Sequence, residues 1–320
     1  MLNFRLLLTS IIGIFAVGVT GVQAGEKLSM LTKEYKLDNG LKIVVREDHR
    51  APVAVSQVWY KVGSADERRP STGLSHILEH MMFQGTPNLP GEAFAKLISQ
   101  HGGNLNAFTS NDFTAYYEEV DKNKLAMCFE AEADRMRHLS LDEAKFKNEL
   151  DVVMEERRMR TDDKPRAVTY ERFMAHANPS GPYHHGVIGW MGDIKRFTVD
   201  QARQWYQTWY APNNAVLVVV GDVKGDEIFD LAKKYFGDLP RSAILKTQDY
   251  EELAPLGERR IKVSVPAKLP YLLMGYDVPS AMTLEAKASW EAFALTVAAA
   301  ALDGGESARF AKELVRNQQI

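Results

Sequence analysis

His76-Ile77-Leu78-Glu79-His80 sets two histidines four residues apart with a glutamate between them. On a helix, side chains at i and i+4 lie one above the other, and the residue at the third step shares their face. Two imidazoles can then grip one metal ion while a carboxylate points at the water beside it. The order His-x-x-Glu-His reverses the commoner His-Glu-x-x-His of zinc hydrolases. His76 and His80 are therefore candidate ligands of one Zn2+, and Glu79 is the candidate catalytic base. Histidine is scarce, 8 in 320 residues, and a chance match to so short a pattern is about one in a hundred.

Around this segment the chain mixes strand and helix patterns. Residues 34–47 alternate about Asp38-Asn39-Gly40, a hairpin signal. Residues 53–62 read as a strand, and the motif helix stops near Gly85-Thr86-Pro87. A short helix over 91–100 precedes two paired strands, 104–110 and 113–120. Residues 122–139, 142–160 and 165–176 read as helices, 214–223 as a nearly continuous apolar and hence buried strand, and 225–236 as a helix. Residues 239–257, with Pro240, Pro255 and Gly257, form the best linker. Beyond it, 259–265 and 271–276 suggest strands, and 283–302 and 307–317 suggest helices. Strands and helices that mix without strict alternation predict an α+β fold of sheet-and-helix sandwiches. The expected division is a metal-binding domain over 25–238, the linker, and a second domain over 258–320. Two strands and two helices would leave sheet edges uncovered there, so this second domain reads as truncated.

Hydrophobic residues make up 45% and charged residues 25% of the chain, as in ordinary soluble proteins. A net charge of −3 recommends neither nucleic acid nor an anionic membrane as a partner. Residues 1–24 read as a secretory signal: Arg5, an apolar run from Leu6 to Val19, then Val22-Gln23-Ala24 before the cleavage point. The mature protein is thus expected to be exported, periplasmic or secreted, with no membrane span. The single cysteine, Cys128, excludes an intramolecular disulfide and falls in an apolar helical pattern, as a small core residue would.

Catalytic zinc usually takes three protein ligands and a water. The third must come from outside the motif, from a carboxylate on a buried face. The helix over 142–160 has an apolar stripe through Phe146, Leu150 and Val153. At ~100° per residue, Glu149 and Glu156 both fall within roughly 60° of Val153's direction, and Glu155 points nearly opposite. A buried carboxylate is costly unless paired or bound to metal. Arg157 and Arg160 lie near the same face, so ion pairing is a real competing explanation, and periodicity does not choose between Glu149 and Glu156 as ligand.

Gly63-Ser64 followed by Gly73-Leu74-Ser75-His76-Ile77-Leu78-Glu79-His80-Met81-Met82-Phe83-Gln84-Gly85-Thr86 strongly resembles the zinc-binding segment of the pitrilysin/insulinase family of metallopeptidases. The resemblance implies a third ligand about 76 residues past the second histidine, which is Glu156, and a supporting glutamate one heptad earlier, which is Glu149. Gly102-Gly103-Asn104-Leu105-Asn106-Ala107-Phe108-Thr109 with Tyr116-Tyr117 resembles the family's substrate-receiving strand, which makes Asn106, Ala107 and Phe108 the expected substrate contacts. His185-Gly186-Val187-Ile188-Gly189-Trp190, and Gly304-Gly305 with Ser307-Ala308-Arg309-Phe310, resemble further family segments, the latter in a second homologous domain. The same resemblance implies a zinc endopeptidase, one Zn2+ per chain, hydrolysing peptides or unfolded segments bound as an added β-strand. Its partner would be a homologous subunit or a second copy. An Arg/Tyr pair that holds substrate in the family has no counterpart in the last 63 residues. The competing reading is a non-catalytic, substrate-guiding subunit; such family members often lose motif residues, whereas His76, Glu79, His80 and Glu156 are all present here.

Overall fold

The computed structural model describes residues 32–244, 257–284 and 290–318. The expected signal segment and most of the expected linker lie outside the described residues. The chain divides into two compact units, Met1–Ala267 and Lys268–Ile320.

In the first unit six strands form one sheet: β1 (Thr32–Lys36), β2 (Lys42–Glu47), β3 (Val53–Tyr60), β4 (Asn104–Thr109), β5 (Thr114–Asp121) and β6 (Ala215–Gly221). Their order is β1-β2-β6-β3-β5-β4, and β4 forms one edge. All neighbours are antiparallel except β2 and β6. Asp38-Asn39-Gly40 does turn the β1–β2 hairpin; Gly40 has φ +99°, a left-handed value that glycine accepts without strain.

Eight helices accompany this sheet among the described residues: α1 (Leu74–Met81), α2 (Ala93–Gln100), α3 (Leu125–His138), α4 (Glu143–Arg157), α5 (Pro165–Ala177), α6 (Met191–Ile194), α7 (Val199–Trp209) and α8 (Gly225–Phe236). The side chains of β3 alternate with period two. Ala54, Ser56, Val58 and Tyr60 are buried with Tyr116 of β5 and Leu217 and Val219 of β6. Against that face pack Ile77, Leu78 and Met81 of α1, Phe129 and Met136 of α3, and Ile228 and Phe236 of α8. Burying each such side chain stabilises the fold by roughly 1.5–3 kcal/mol. The core is therefore a sheet with helices on one face, the α+β sandwich that the mixed sequence pattern predicts.

β6 departs from its expectation. It is central, yet Val220 is 37% exposed, and burial alternates along the strand. Its apolar run serves two faces unequally: the helices cover one, and the other carries a smaller aromatic cluster of Trp59, Phe108 and Phe113. The helix expected over 142–160 ends at Arg157 and continues as a π-helical turn, Arg158–Asp162.

The strands expected over 259–265 and 271–276 are not formed. Neither run pairs with another described segment, and Leu272 and Tyr276 are 77% and 82% exposed. A strand exists only through a partner's backbone, so β-propensity without a neighbour leaves an extended chain. The second unit holds a helix, α9 (Trp290–Asp303), and a π-helical stretch, Phe310–Asn317.

The start of α1 is fixed by buried polar contacts. Glu67, fully buried, accepts hydrogen bonds from the backbone N–H of Gly73 (2.6 Å) and Ser75 (2.7 Å), capping the helix from six residues upstream. Gly73 has φ +100°, and a Cβ there would sit 2.2 Å from the carbonyl oxygen of Ile188. Gly189 meets the same restriction from the other side: its Cβ would lie 2.0 Å from the carbonyl oxygen of Thr72. Thr72 Oγ1 donates to Asp193 (2.7 Å) and accepts from the Trp190 N–H (3.0 Å), while Arg157 donates to the Gly189 carbonyl (2.6 Å). The 186–193 segment thus ties the N-terminus of α1 to the C-terminus of α4. Replacing Glu67 with alanine strands two buried amide donors. Urea unfolding of Glu67→Ala is expected to show a loss of about 3 kcal/mol, with a loss below ~1 kcal/mol meaning that water replaces the carboxylate.

Candidate metal centre

Helix α1 presents His76 and His80 one turn apart, and α4, packed beside it, presents Glu149 and Glu156 two turns apart. Glu156 Oε2 lies 3.4 Å from His76 Nε2 and 3.4 Å from His80 Nε2. Ligand atoms of these three side chains all fall within 4.8 Å of one another, the one such group of His, Cys, Asp and Glu among the described residues. Glu156 Oε2 is buried and has no hydrogen-bond partner.

That arrangement fits a metal ion on its chemistry. Bonds of ~2.0–2.1 Å in a tetrahedral site put neighbouring ligand atoms ~3.3 Å apart. A buried carboxylate oxygen facing two imidazole nitrogens, unpartnered, is unfavourable unless a positive charge sits among them. Two imidazoles and a carboxylate suit zinc better than the hard, oxygen-seeking cations.

The surrounding contacts set the ring orientations. Glu149 Oε2 accepts from His80 Nδ1 (3.2 Å) and its Oε1 accepts from Gln84 Nε2 (2.7 Å). With Nδ1 engaged as donor, the neutral His80 ring has its lone pair on Nε2, the atom aimed at Glu156. Burial works against charge on His80, but the Glu149 and Glu156 carboxylates outweigh it and push its pKa up to about 9. Burial, with His80 beside it, lowers His76 to about 4. The His80 ring beside it holds Glu156 below the usual carboxylate range, against its partial burial. Glu79 is raised by burial; its Oε2 accepts a hydrogen bond from Thr109 Oγ1.

The competing ion-pair explanation is realised in part. Arg160 Nε lies 2.8 Å from Glu156 Oε1, so one oxygen of Glu156 meets an arginine while the other meets the histidines. Arg157 goes elsewhere, to Glu171 at 2.8 Å.

Asn106, Ala107 and Phe108 sit on the edge strand β4 and line the same cleft, of about 1420 Å³, as His76, Glu79 and His80. Three contributors were not singled out from sequence. Thr109 and Gln84 were both legible, the first by strand alternation with Ala107, the second by its i+4 step from His80. Glu67 was not, because it acts from a loop with no periodic pattern.

A helix-borne His-x-x-Glu-His pair completed by a glutamate from a second helix, on an α+β sandwich, defines a class: zinc peptidases with the inverted motif. Family models agree. Residues 42–189 match the model described as insulinase (peptidase family M16), and residues 196–320 match the M16 inactive domain. The chain belongs to the insulinase (M16) family. The zinc protease PqqE of Helicobacter pylori is 37% identical over 248 residues, covering 76% of this chain and 56% of the relative. The crystal structure of a protease from Helicobacter pylori superposes with a TM-score of 0.67 at 36% identity, over 70% of this chain and 54% of that one. The periplasmic protease PqqL from Escherichia coli gives a TM-score of 0.65 at 25% identity, over 70% of this chain and 26% of that one. The chain spans about half the length of the curated relatives it matches.

The titration directions give the sign of the metal's pH dependence. In the metal-free protein His80 carries a proton below about 9, whereas His76 loses its own above about 4. A ligand histidine must be neutral, so zinc binding at this site at neutral pH would expel one proton, from His80. Zinc affinity measured by competition with a chelator is expected to rise about tenfold per pH unit between roughly pH 6 and pH 8. A flat profile would mean that His80 is already neutral.

Proposed function

We propose that this chain carries the catalytic zinc centre of an endopeptidase, with His76, His80 and Glu156 as ligands, Glu79 as general base and Glu149 as the residue that orients His80. The observation that carries this reading is Glu156 Oε2, buried, without a hydrogen bond, and 3.4 Å from both Nε2 atoms. All five residues fall within 42–189, the part matched by the insulinase model rather than by the inactive-domain model.

Zinc bound there supplies a Lewis acid that polarises the scissile carbonyl and brings water's pKa toward ~7. The chain's own groups do the rest. Glu79, in the cleft beside both histidines, takes a proton from the attacking water and returns it to the leaving amine. Burial raises its pKa, which makes it a stronger base than an exposed carboxylate. Glu149 keeps the His80 ring in one tautomer, and Gln84 holds Glu149.

The substrate on this reading is an extended peptide or unfolded segment that adds a strand along the outer edge of β4, with Asn106, Ala107 and Phe108 facing it. Backbone pairing gives affinity with little sequence preference. One Zn2+ per chain, export to the periplasm, and a homologous subunit or second copy as partner belong to the same proposal. Export is supported by the signal-like residues 1–24 and by the periplasmic relative. The non-catalytic alternative has less support, because the base and every ligand are present together.

Two variants test the assignment on the zinc-loaded chain with a quenched extended peptide. Glu79→Gln is expected to keep one zinc and lose at least ~100-fold in kcat. Glu156→Gln is expected to lose zinc affinity by at least ~10-fold, read by metal analysis after dialysis. Full cleavage by Glu79→Gln would remove Glu79 from the reaction, and undiminished zinc in Glu156→Gln would remove Glu156 from the ligand set.

A further inference from the structure

The edge strand β4 does more than line the cleft. Its burial alternates, so Leu105, Ala107 and Thr109 turn toward α1 while Asn104, Asn106 and Phe108 turn the other way. Thr109 is its last residue, paired with Thr114 of β5. The turn beyond it is anchored on three sides. Ser110 N–H donates to the Phe113 carbonyl (2.8 Å), Ala65 N–H donates to the Asn111 carbonyl (2.8 Å), and Thr114 Oγ1 donates to the Val62 carbonyl (3.0 Å). Gly63 packs against this turn at backbone distance: a Cβ would lie 2.4 Å from the carbonyl oxygens of Ser110 and Asn111. A hydroxyl on so firmly held a strand end is a fixed donor, and it reaches Glu79 Oε2.

We propose that Thr109 is a positioning residue for the general base: its hydroxyl clamps one oxygen of Glu79 and so fixes which oxygen accepts the proton, coupling the base to the strand that receives substrate. This rests on the peptidase reading above. With Oε2 engaged, Oε1 is the oxygen that takes the proton. An unclamped carboxylate on a long side chain would sample several rotamers, of which few point at the attacking water. The hydrogen bond is local to the base and touches none of the three candidate ligands, so it acts on the rate and not on metal retention.

Thr109→Val keeps the shape and removes the donor; Thr109→Ser keeps the donor. In the zinc-loaded chain, Thr109→Val is expected to lower kcat for a quenched extended peptide by about 10- to 100-fold, with KM and zinc affinity each within about twofold. Thr109→Ser is expected to restore kcat to within about threefold. Crystal structures of zinc-loaded wild type and Thr109→Val supply a readout independent of turnover: the Glu79 carboxylate should leave its wild-type position in the variant. An unchanged kcat, a rise in KM alone, or a serine variant as slow as the valine variant would overturn the proposal. A wild-type chain that binds zinc and cleaves no peptide would count against the peptidase reading. In that event the Glu79 position decides Thr109's role: displacement in Thr109→Val supports it, and an identical carboxylate overturns it.

Discussion

The first unit is organised around one buried carboxylate oxygen, Glu156 Oε2, held against two imidazole nitrogens at 3.4 Å each. Gathering these groups out of water carries a desolvation cost, against which the Glu156 carboxylate and the His80 ring attract each other in their charged forms. They converge because two helices are forced to. Glu67 caps α1 at one end, Gly73 and Gly189 let the 186–193 segment press onto it at backbone distance, and Arg157 ties α4 to the same segment. The helices also share the hydrophobic core, through Ile77 and Met81 on one side and Phe146 and Val153 on the other. Packing energy spread over the whole sandwich therefore offsets a local electrostatic cost, and metal binding would turn that cost into affinity.

Polar networks divide the work around this point. Glu149 and Gln84 set the ring of His80, Arg160 takes the second oxygen of Glu156, and Thr109 holds Glu79. Deeper in the core Arg135 pairs with the buried Glu132, with its guanidinium 4.6 Å from the Tyr116 ring centre and 5.8 Å from that of Phe83, which lines the cleft. Burial raises Glu118 next to this pair well above the ordinary carboxylate range. The cleft wall is thus backed by a buried arginine–glutamate pair.

Much of this was legible in the sequence, for reasons that differ by element. Helical spacing alone placed His76, Glu79 and His80 on one face, because 3.6-residue periodicity is local physics. Amphipathicity of the 142–160 segment brought Glu149 and Glu156 inward, yet could not separate them: both do lie at the site, one toward the nitrogens and one behind a histidine. The rest depended on contacts between distant segments. Glu67 reaches α1 from a loop, and Thr109 reaches Glu79 across 30 positions. The runs at 259–265 and 271–276 carry strand-forming residues, but strand formation requires a partner that composition does not supply.

On the proposed reading, the edge position of β4 has a consequence for turnover. A segment lying along an open sheet edge is held by a ladder of main-chain hydrogen bonds, each of modest net worth, so its residence time grows with the number of residues engaged. Cutting such a segment divides the ladder between two pieces and shortens the grip on both at once. Scission would thus be its own release step: the long reactant stays, the short fragments leave, and discrimination between them depends on length, whatever their side chains.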